Sequence, residues 1–231
     1  MDNLRKFDTY ADYSAATLSY PAVSWIVSGN TVAFDAEAPA VNGNLKLVFN
    51  ISDTTNETLI YNTGGGSDGS DGSDGSDGSG GSFTPDAMWI DGVEITPINT
   101  YRFTTTGEHV VELEVPMGEL NVEIPDLVFN NVNMAEVEIR DGVQVIGAQA
   151  FSSCQLLTAV TIASSVWEIK DQAFDVCSSL ESATIYATTP PSIGYTIFDN
   201  NSPNFTIYVP AELVQDYKDA WIDYSSIIEA I

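Results

Sequence analysis

The chain has 231 residues, of which 7 are Lys or Arg and 33 are Asp or Glu, for a net charge of −26. That length can bury a core of its own or divide into two or three small domains. The charge excludes phosphate-backbone binding, which needs clustered cations, and attraction to an anionic membrane. It is unevenly spread. Residues 1–63 carry 7 acids and 3 bases, residues 64–82 carry 4 acids and no base, and residues 83–231 carry 22 acids and 4 bases. Acidity of this kind keeps a displayed protein soluble and apart from its neighbours. Two cysteines do not make a disulfide framework, and no apolar run is long enough to span a membrane. The opening Met1-Asp2-Asn3-Leu4-Arg5-Lys6-Phe7 lacks the apolar stretch of a secretory signal, so the expectation is that such a signal is absent or has been removed.

Residues 9–18 are predicted to form a short helix with Asp8 or Thr9 as N-cap. Residues 22–27 and 31–35 are β-prone runs about Ser28-Gly29-Asn30 and read as a hairpin. In residues 45–52 Leu45, Leu47, Phe49 and Ile51 alternate with other residues, the pattern of a half-buried strand, and residues 59–61 are expected to add a short one. So small a module is marginal alone and is expected to oligomerise or to dock on a larger assembly.

Residues 64–82 read GGGSDGSDGSDGSDGSGGS, without one apolar side chain. The composition predicts a flexible linker with a root-mean-square reach of about 25 Å. A join between fused segments would read the same way. The repeated Asp-Gly-Ser lacks the terminal Glu of a helix-loop-helix calcium site and the apolar position of a β-roll repeat, so no metal is expected.

Beyond it, residues 88–96 contain Asp91-Gly92 between apolar flanks, a hairpin signal, and residues 101–105 and 109–115 follow, joined through Gly107. From about residue 137 the chain repeats every 23 residues. Ile146-Gly147-Ala148-Gln149-Ala150-Phe151 recurs as Ile169-Lys170-Asp171-Gln172-Ala173-Phe174, Cys154 as Cys177, Leu157 as Leu180, and Val160-Thr161-Ile162 as Ala183-Thr184-Ile185. A third copy, shifted by one, has Ile193-Gly194, Phe198 and Ile207-Tyr208-Val209, and Val137-Glu138-Ile139 supplies the strand of an earlier one. Units of this size cannot bury an apolar face alone and must stack. Pro210 then marks a helix start, with Leu213, Val214, Tyr217, Ala220 and Trp221 at helical spacing as a cap for the open end.

The pattern Ile-Gly-x-x-Ala-Phe-x-x-Cys-x-x-Leu followed by Val-x-Ile resembles the BspA-like leucine-rich repeats of bacterial surface proteins. Pro190-Pro191-Ser192-Ile193, Ile207-Tyr208-Val209-Pro210 and the Tyr217-Lys218, Trp221 and Tyr224 helix are similar to that family's C-terminal end, and Met88-Trp89-Ile90-Asp91-Gly92-Val93 to a small module that often precedes such repeats. The likeness covers about residues 83–231. Lys170 departs from it, standing where the first repeat has Gly147, and the array is short. The expected fold is mainly β: a short leucine-rich-repeat solenoid with a C-terminal capping helix, preceded by small β modules and the linker. The expected domains are residues 1–63 as an anchoring module, 64–82 as linker, 83–116 as a small antiparallel module and 117–231 as the solenoid. The resemblance implies adhesion or recognition rather than catalysis, without naming a ligand.

Catalytic sets are scarce. His109 is the one histidine, expected on a solvent-facing strand position beside Glu108, so no Ser-His-Asp or Cys-His set forms without it. Neither a nucleophile elbow nor a phosphate loop occurs. Glu108, Glu112, Glu114, Glu119 and Glu123 read as a solvated face. Cys154 and Cys177 fall on neighbouring units within disulfide reach, with buried free thiols as the simpler reading. No cofactor and no metal is expected. Exposed aromatics are the better contact candidates: Trp167 where a unit turns, Tyr186 after Ile185, and Tyr195 in the irregular third copy. The functional expectation is a displayed recognition protein. Residues 1–63 would anchor it to a larger assembly such as a phage capsid or tail, as a head fibre or decoration on the virion surface. The repeats would bind a protein or glycan on a cell surface. A bacterial cell-surface adhesin and a glycan-acting enzyme are the alternatives.

Overall fold

The computed structural model describes residues 25–27, 30–32, 43–63, 83–116, 118 and 121–231. The helix expected at 9–18, the linker at 64–82 and Glu119 lie outside them. The chain divides into two compact units, Met1–Val41 and Asn42–Ile231. In the first, strands β1 (Trp25–Val27) and β2 (Asn30–Val32) pair antiparallel, as the Ser28-Gly29-Asn30 signal anticipates.

The second unit holds one long sheet of nine strands. Its antiparallel part comprises β3 (Leu45–Ile51), β5 (Ala87–Ile90), β6 (Val93–Ile95) and β8 (Gly107–Glu114). The Asp91-Gly92 pair turns β5 into β6 with both residues left-handed (φ 50° and 77°), as a two-residue hairpin requires. Strands β4 (Thr58–Leu59) and β7 (Thr100–Tyr101) form a separate pair.

The repeats build two parallel ladders. Strands β10 (Glu136–Ile139), β12 (Ala159–Ile162), β14 (Ser182–Ile185) and β16 (Thr206–Val209) continue the long sheet, and β17 (Ile228–Ala230) closes it beside β16. Strands β9 (Glu123–Ile124), β11 (Val145–Ile146), β13 (Glu168–Ile169) and β15 (Ser192–Ile193) make a second sheet. Register is in step throughout, with Val137, Val160 and Ala183 side by side and Ile124, Ile146 and Ile169 likewise.

Equivalent side chains therefore stack on one another. Phe129, Phe151, Phe174 and Phe198 form a column of parallel rings 5.0, 5.1 and 5.3 Å apart, and the first three are fully buried. Cys154 and Cys177 are buried and free, each thiol donating to the carbonyl of the phenylalanine one unit back (Phe129 and Phe151, 3.1 Å). Hydrogen bonding to Cys177 and burial push the Cys154 thiol well above its usual range. Between the ladders the backbone turns through left-handed residues at fixed places: Leu127, Gln149, Gln172 and Thr196, then Asn131, Ser153, Val176 and Asn200.

Gly147 has a steric reason. A Cβ there would lie 2.6 Å from Asp126, whose carboxylate takes the Ala148 amide. Gly194 meets Asp171 in the same way. In the unit before Lys170 the aspartate's place is held by Ala148, which makes no such cap, so glycine is not required. Lys170 instead reaches back over that unit to Glu123, 2.6 Å away.

At the far end Ala211–Leu213 forms a 3-10 turn and α1 (Val214–Ala220) follows. The Tyr217 hydroxyl donates to the Ala187 carbonyl (2.8 Å), the Trp221 indole N–H to the Pro191 carbonyl (2.9 Å) and the Tyr224 hydroxyl to Asp199 (2.9 Å). These side chains serve backbone and loop groups that a further unit would otherwise have met.

Two expectations need correction. The unit boundary falls between Val41 and Asn42, so 1–63 is not one module, and 83–116 and 117–231 are not separate domains. The cause is β3. It pairs antiparallel with β8 on one edge and with β10 on the other, and its alternating Leu45, Leu47 and Phe49 are buried as a half-buried strand requires, with Val48 buried as well. The second correction follows. The residues on both sides of 64–82 belong to the same unit, and these flanks touch, with the Tyr61 and Phe83 rings edge to face at 5.2 Å. A connection of that kind cannot be the tether between an anchor and a head.

Candidate binding surface

Alternation along the repeat strands sorts side chains onto two faces. Val160, Ile162, Ala183, Ile185, Ile207 and Val209 point into the core and are buried. The opposite face of β12, β14 and β16 carries Ala159 and Thr161, Ser182 and Thr184, and Thr206 and Tyr208. Tyr186 extends it, because its amide donates to Ile162 and prolongs the ladder beyond β14. Thr161, Thr184 and Tyr208 stand in one row across three strands. No ionisable carboxylate or cation stands at these positions, although the chain carries −26.

Charge returns at both margins. On one side Tyr208 pairs with Glu229 of β17. On the other stand Glu136 and Glu138 of β10. Arg140 there bonds Glu138 (3.1 Å) and reaches across β3 to Glu112 of β8 (2.7 Å), while Lys46 approaches Glu138 at 3.5 Å. Burial opposes the charge on Glu138, but Arg140 and Lys46 outweigh it and hold the carboxyl below its usual value. This corrects the reading of a solvated acidic face: Glu112 is buried against Arg140, and Glu123 is bound to Lys170.

Residues 122–230 match the family model for the BspA type leucine rich repeat region, in six copies. This part of the chain is a BspA-type leucine-rich repeat region. No curated protein matches the chain.

The three expected contact residues are all exposed on this leucine-rich repeat region: Trp167 at 50%, Tyr186 at 46% and Tyr195 at 81%. They do not share one ladder. Tyr186 prolongs the long sheet, whereas Trp167 precedes β13 and Tyr195 follows β15 in the second sheet. Trp167 and Ser192 are adjacent through the Ser192 amide to the Trp167 carbonyl (2.9 Å). Tyr186 alone of the three belongs to the uncharged face. The residues that share it, Thr161, Thr184 and Tyr208, are legible in the sequence only once the core-facing positions are fixed, since they are simply the other half of the alternation.

Among the described residues no group of three or more His, Cys, Asp or Glu could hold a metal ion, and no helix is long and apolar enough to cross a membrane. His109 is not the solvent-facing residue expected of its strand. Its register partner is Phe49, so it lies on the same face of β8 as Val111 and Leu113 and is buried. Its Nδ1 stands 2.7 Å from Asp91 Oδ2 and its Nε2 2.9 Å from the Thr105 carbonyl and 3.2 Å from the Thr105 hydroxyl. Both ring nitrogens face acceptors, an arrangement that holds a cation in place rather than freeing a lone pair for base catalysis.

Proposed function

We propose that the stacked repeats act as a short solenoid head for non-enzymatic recognition, binding an uncharged glycan on a cell surface across the outer face of β12, β14 and β16. The observation that carries this reading is the absence of charge on that face in a chain of net charge −26. Rows of hydroxyls from Thr161, Thr184 and Tyr208 suit hydroxyl-rich ligands, and Tyr186 offers an exposed ring on which a sugar can stack. The face holds no pair of carboxylates of the sort glycoside hydrolysis uses.

The test is a panel of neutral and anionic glycans offered to the full chain at low and high salt. Binding to neutral glycans that is little changed by salt and lost in Tyr186→Ala with Thr184→Val supports the reading. Binding confined to charged glycans, or unaffected by both substitutions, overturns it. Trp167→Ala and Tyr195→Ala test the second sheet separately.

The separate compact unit Met1–Val41 favours a second element of the proposal, attachment of the head to a larger assembly through that unit. A phage particle, with the protein as a head fibre or decoration, and a bacterial cell surface are the two settings. Comparing the full chain with one lacking residues 1–41 for self-association and for binding to purified capsids or tails distinguishes them. Equal behaviour of the two chains removes the anchoring role.

A further inference from the structure

The His109 site lies away from the face proposed for binding, at the opposite edge of the long sheet. There the sheet ends in the β5–β6 hairpin, whose last strand pairs on one side only among the described residues and carries an exposed Val93. The turn of this hairpin is fastened to β8 through Asp91. Its amide donates to the Val110 carbonyl (2.8 Å), its Oδ1 accepts the Val110 amide (2.9 Å), and its Oδ2 meets His109 Nδ1 at 2.7 Å. On the other side of the ring Nε2 meets the Thr105 carbonyl, so the segment entering β8 is held by the same imidazole. The Phe103 ring covers it with centroids 4.5 Å apart, and Phe103 in turn packs on Phe49 and Tyr101.

Two protonation states fit this cage differently. A charged ring donates to both the Asp91 carboxylate and the Thr105 carbonyl and sits against an aromatic face, where a cation is favoured. A neutral ring carries one N–H. If it keeps Asp91, its other nitrogen meets the Thr105 carbonyl with a lone pair, and only the Thr105 hydroxyl, 3.2 Å away, can turn to donate to it. The segment at Thr105 then loses its bond to the ring through the backbone.

We propose that His109 is a protonation-controlled clasp. As an imidazolium it fastens the β5–β6 turn and the Thr105 segment to β8, and on losing its proton it can donate to only one of them, which loosens this edge of the sheet. The charged group facing the ring is Asp91; Phe49 opposite it on β3 and Phe103 before β8 carry no charge. Burial works against the charge on His109, but the Asp91 hydrogen bond, the Thr105 carbonyl and the Asp91 charge together raise its pKa above the ordinary 6.5. A raised folded value fixes the sign. The clasp contributes fully below the ordinary histidine range and is lost as pH rises through the raised value.

The single histidine makes the test unambiguous. Ring nitrogen resonances of labelled full-length chain, followed through a pH titration, should show both nitrogens protonated below a midpoint above 6.5. Over the same interval the exchange protection of the Asp91 and Val110 amides should fall, while that of Phe151 in the repeat column stays constant. Asp91→Asn keeps a hydrogen-bonding side chain but removes the charge, and should move the midpoint down. His109→Gln should make the protection of these amides independent of pH. A midpoint at or below 6.5, a midpoint unmoved in Asp91→Asn, or protection at Asp91 and Val110 that does not follow the titration each overturns the clasp. A general loss of folding would also lower the protection of Phe151 and is thereby distinguished.

Discussion

The parallel repeat stack and the antiparallel strands beside it share one sheet and are built by opposite means. In the stack each residue packs on its own counterpart: phenylalanine on phenylalanine, cysteine beside cysteine, left-handed turn on left-handed turn. Across the antiparallel strands nothing repeats. β3 arrives from upstream of residues 64–82, turns its apolar side to the common core and bonds β8 and β10 at once, and Arg140 spans it to reach Glu112. A periodic core tolerates local variation because every position is supported by its equivalents. The seam depends on one strand with no second copy.

That contrast can be broken most severely at β3. A chain that begins after residue 63 should fail to fold cooperatively even though all the repeats are present, because β8 and β10 lose their shared neighbour. Circular dichroism and thermal unfolding check this, and a native-like transition in the shortened chain would mean that the repeats stand alone. Next comes the phenylalanine column. Phe151→Ala should cost about 3–5 kcal/mol in chemical denaturation, in a single transition shared with the antiparallel strands. Two separate transitions would contradict a common core.

Smaller effects refine the picture. Val176 is β-branched and held at φ 59°, where its counterparts are Asn131, Ser153 and Asn200. Left-handed backbone is unfavourable for such a residue by about 1–2 kcal/mol. Val176→Asn should therefore raise stability by about 1 kcal/mol, measured by the same denaturation, and a loss would show that the side chain packs usefully. Smallest is the connection at residues 64–82. Its flanks already touch, so halving its length should stabilise the fold by about 0.6 kcal/mol through a lower closure entropy. Destabilisation would mean that the segment spans a distance the flanks do not reveal.

The stack was legible in the sequence because its contacts recur at a fixed interval. Ile146 and Ile169, or Phe151 and Phe174, announce their contact by being the same residue 23 positions apart. The earliest unit was read only from Val137-Glu138-Ile139, since Ile124 and Phe129 share no longer motif with the later copies. β3 is recognisable as a strand, but its place in the sheet is not, because its partners lie some 60 and 90 residues onward and a polar run stands between, which composition presents as a border. The acidic neighbours of His109 suggest solvent, but the register decides otherwise. Glu108 and Glu112 mark the outward side of β8, and alternation puts His109 on the other. The uncharged face has no motif of its own, and of its members only Tyr186 stands out in the sequence, as an aromatic directly after a repeat strand.

The two ends of the stack are finished by parts that are not repeats. β3 seals one with an antiparallel partner, and Tyr217, Trp221 and Tyr224 seal the other with side-chain bonds. Neither seal reads how many units lie between them. Duplicating or deleting a 23-residue segment would change the width of the uncharged face by one strand and leave both ends intact. If that face binds a ligand as proposed, its breadth is a quantity that recombination can adjust in whole steps, without the slow repair of a core by point substitution.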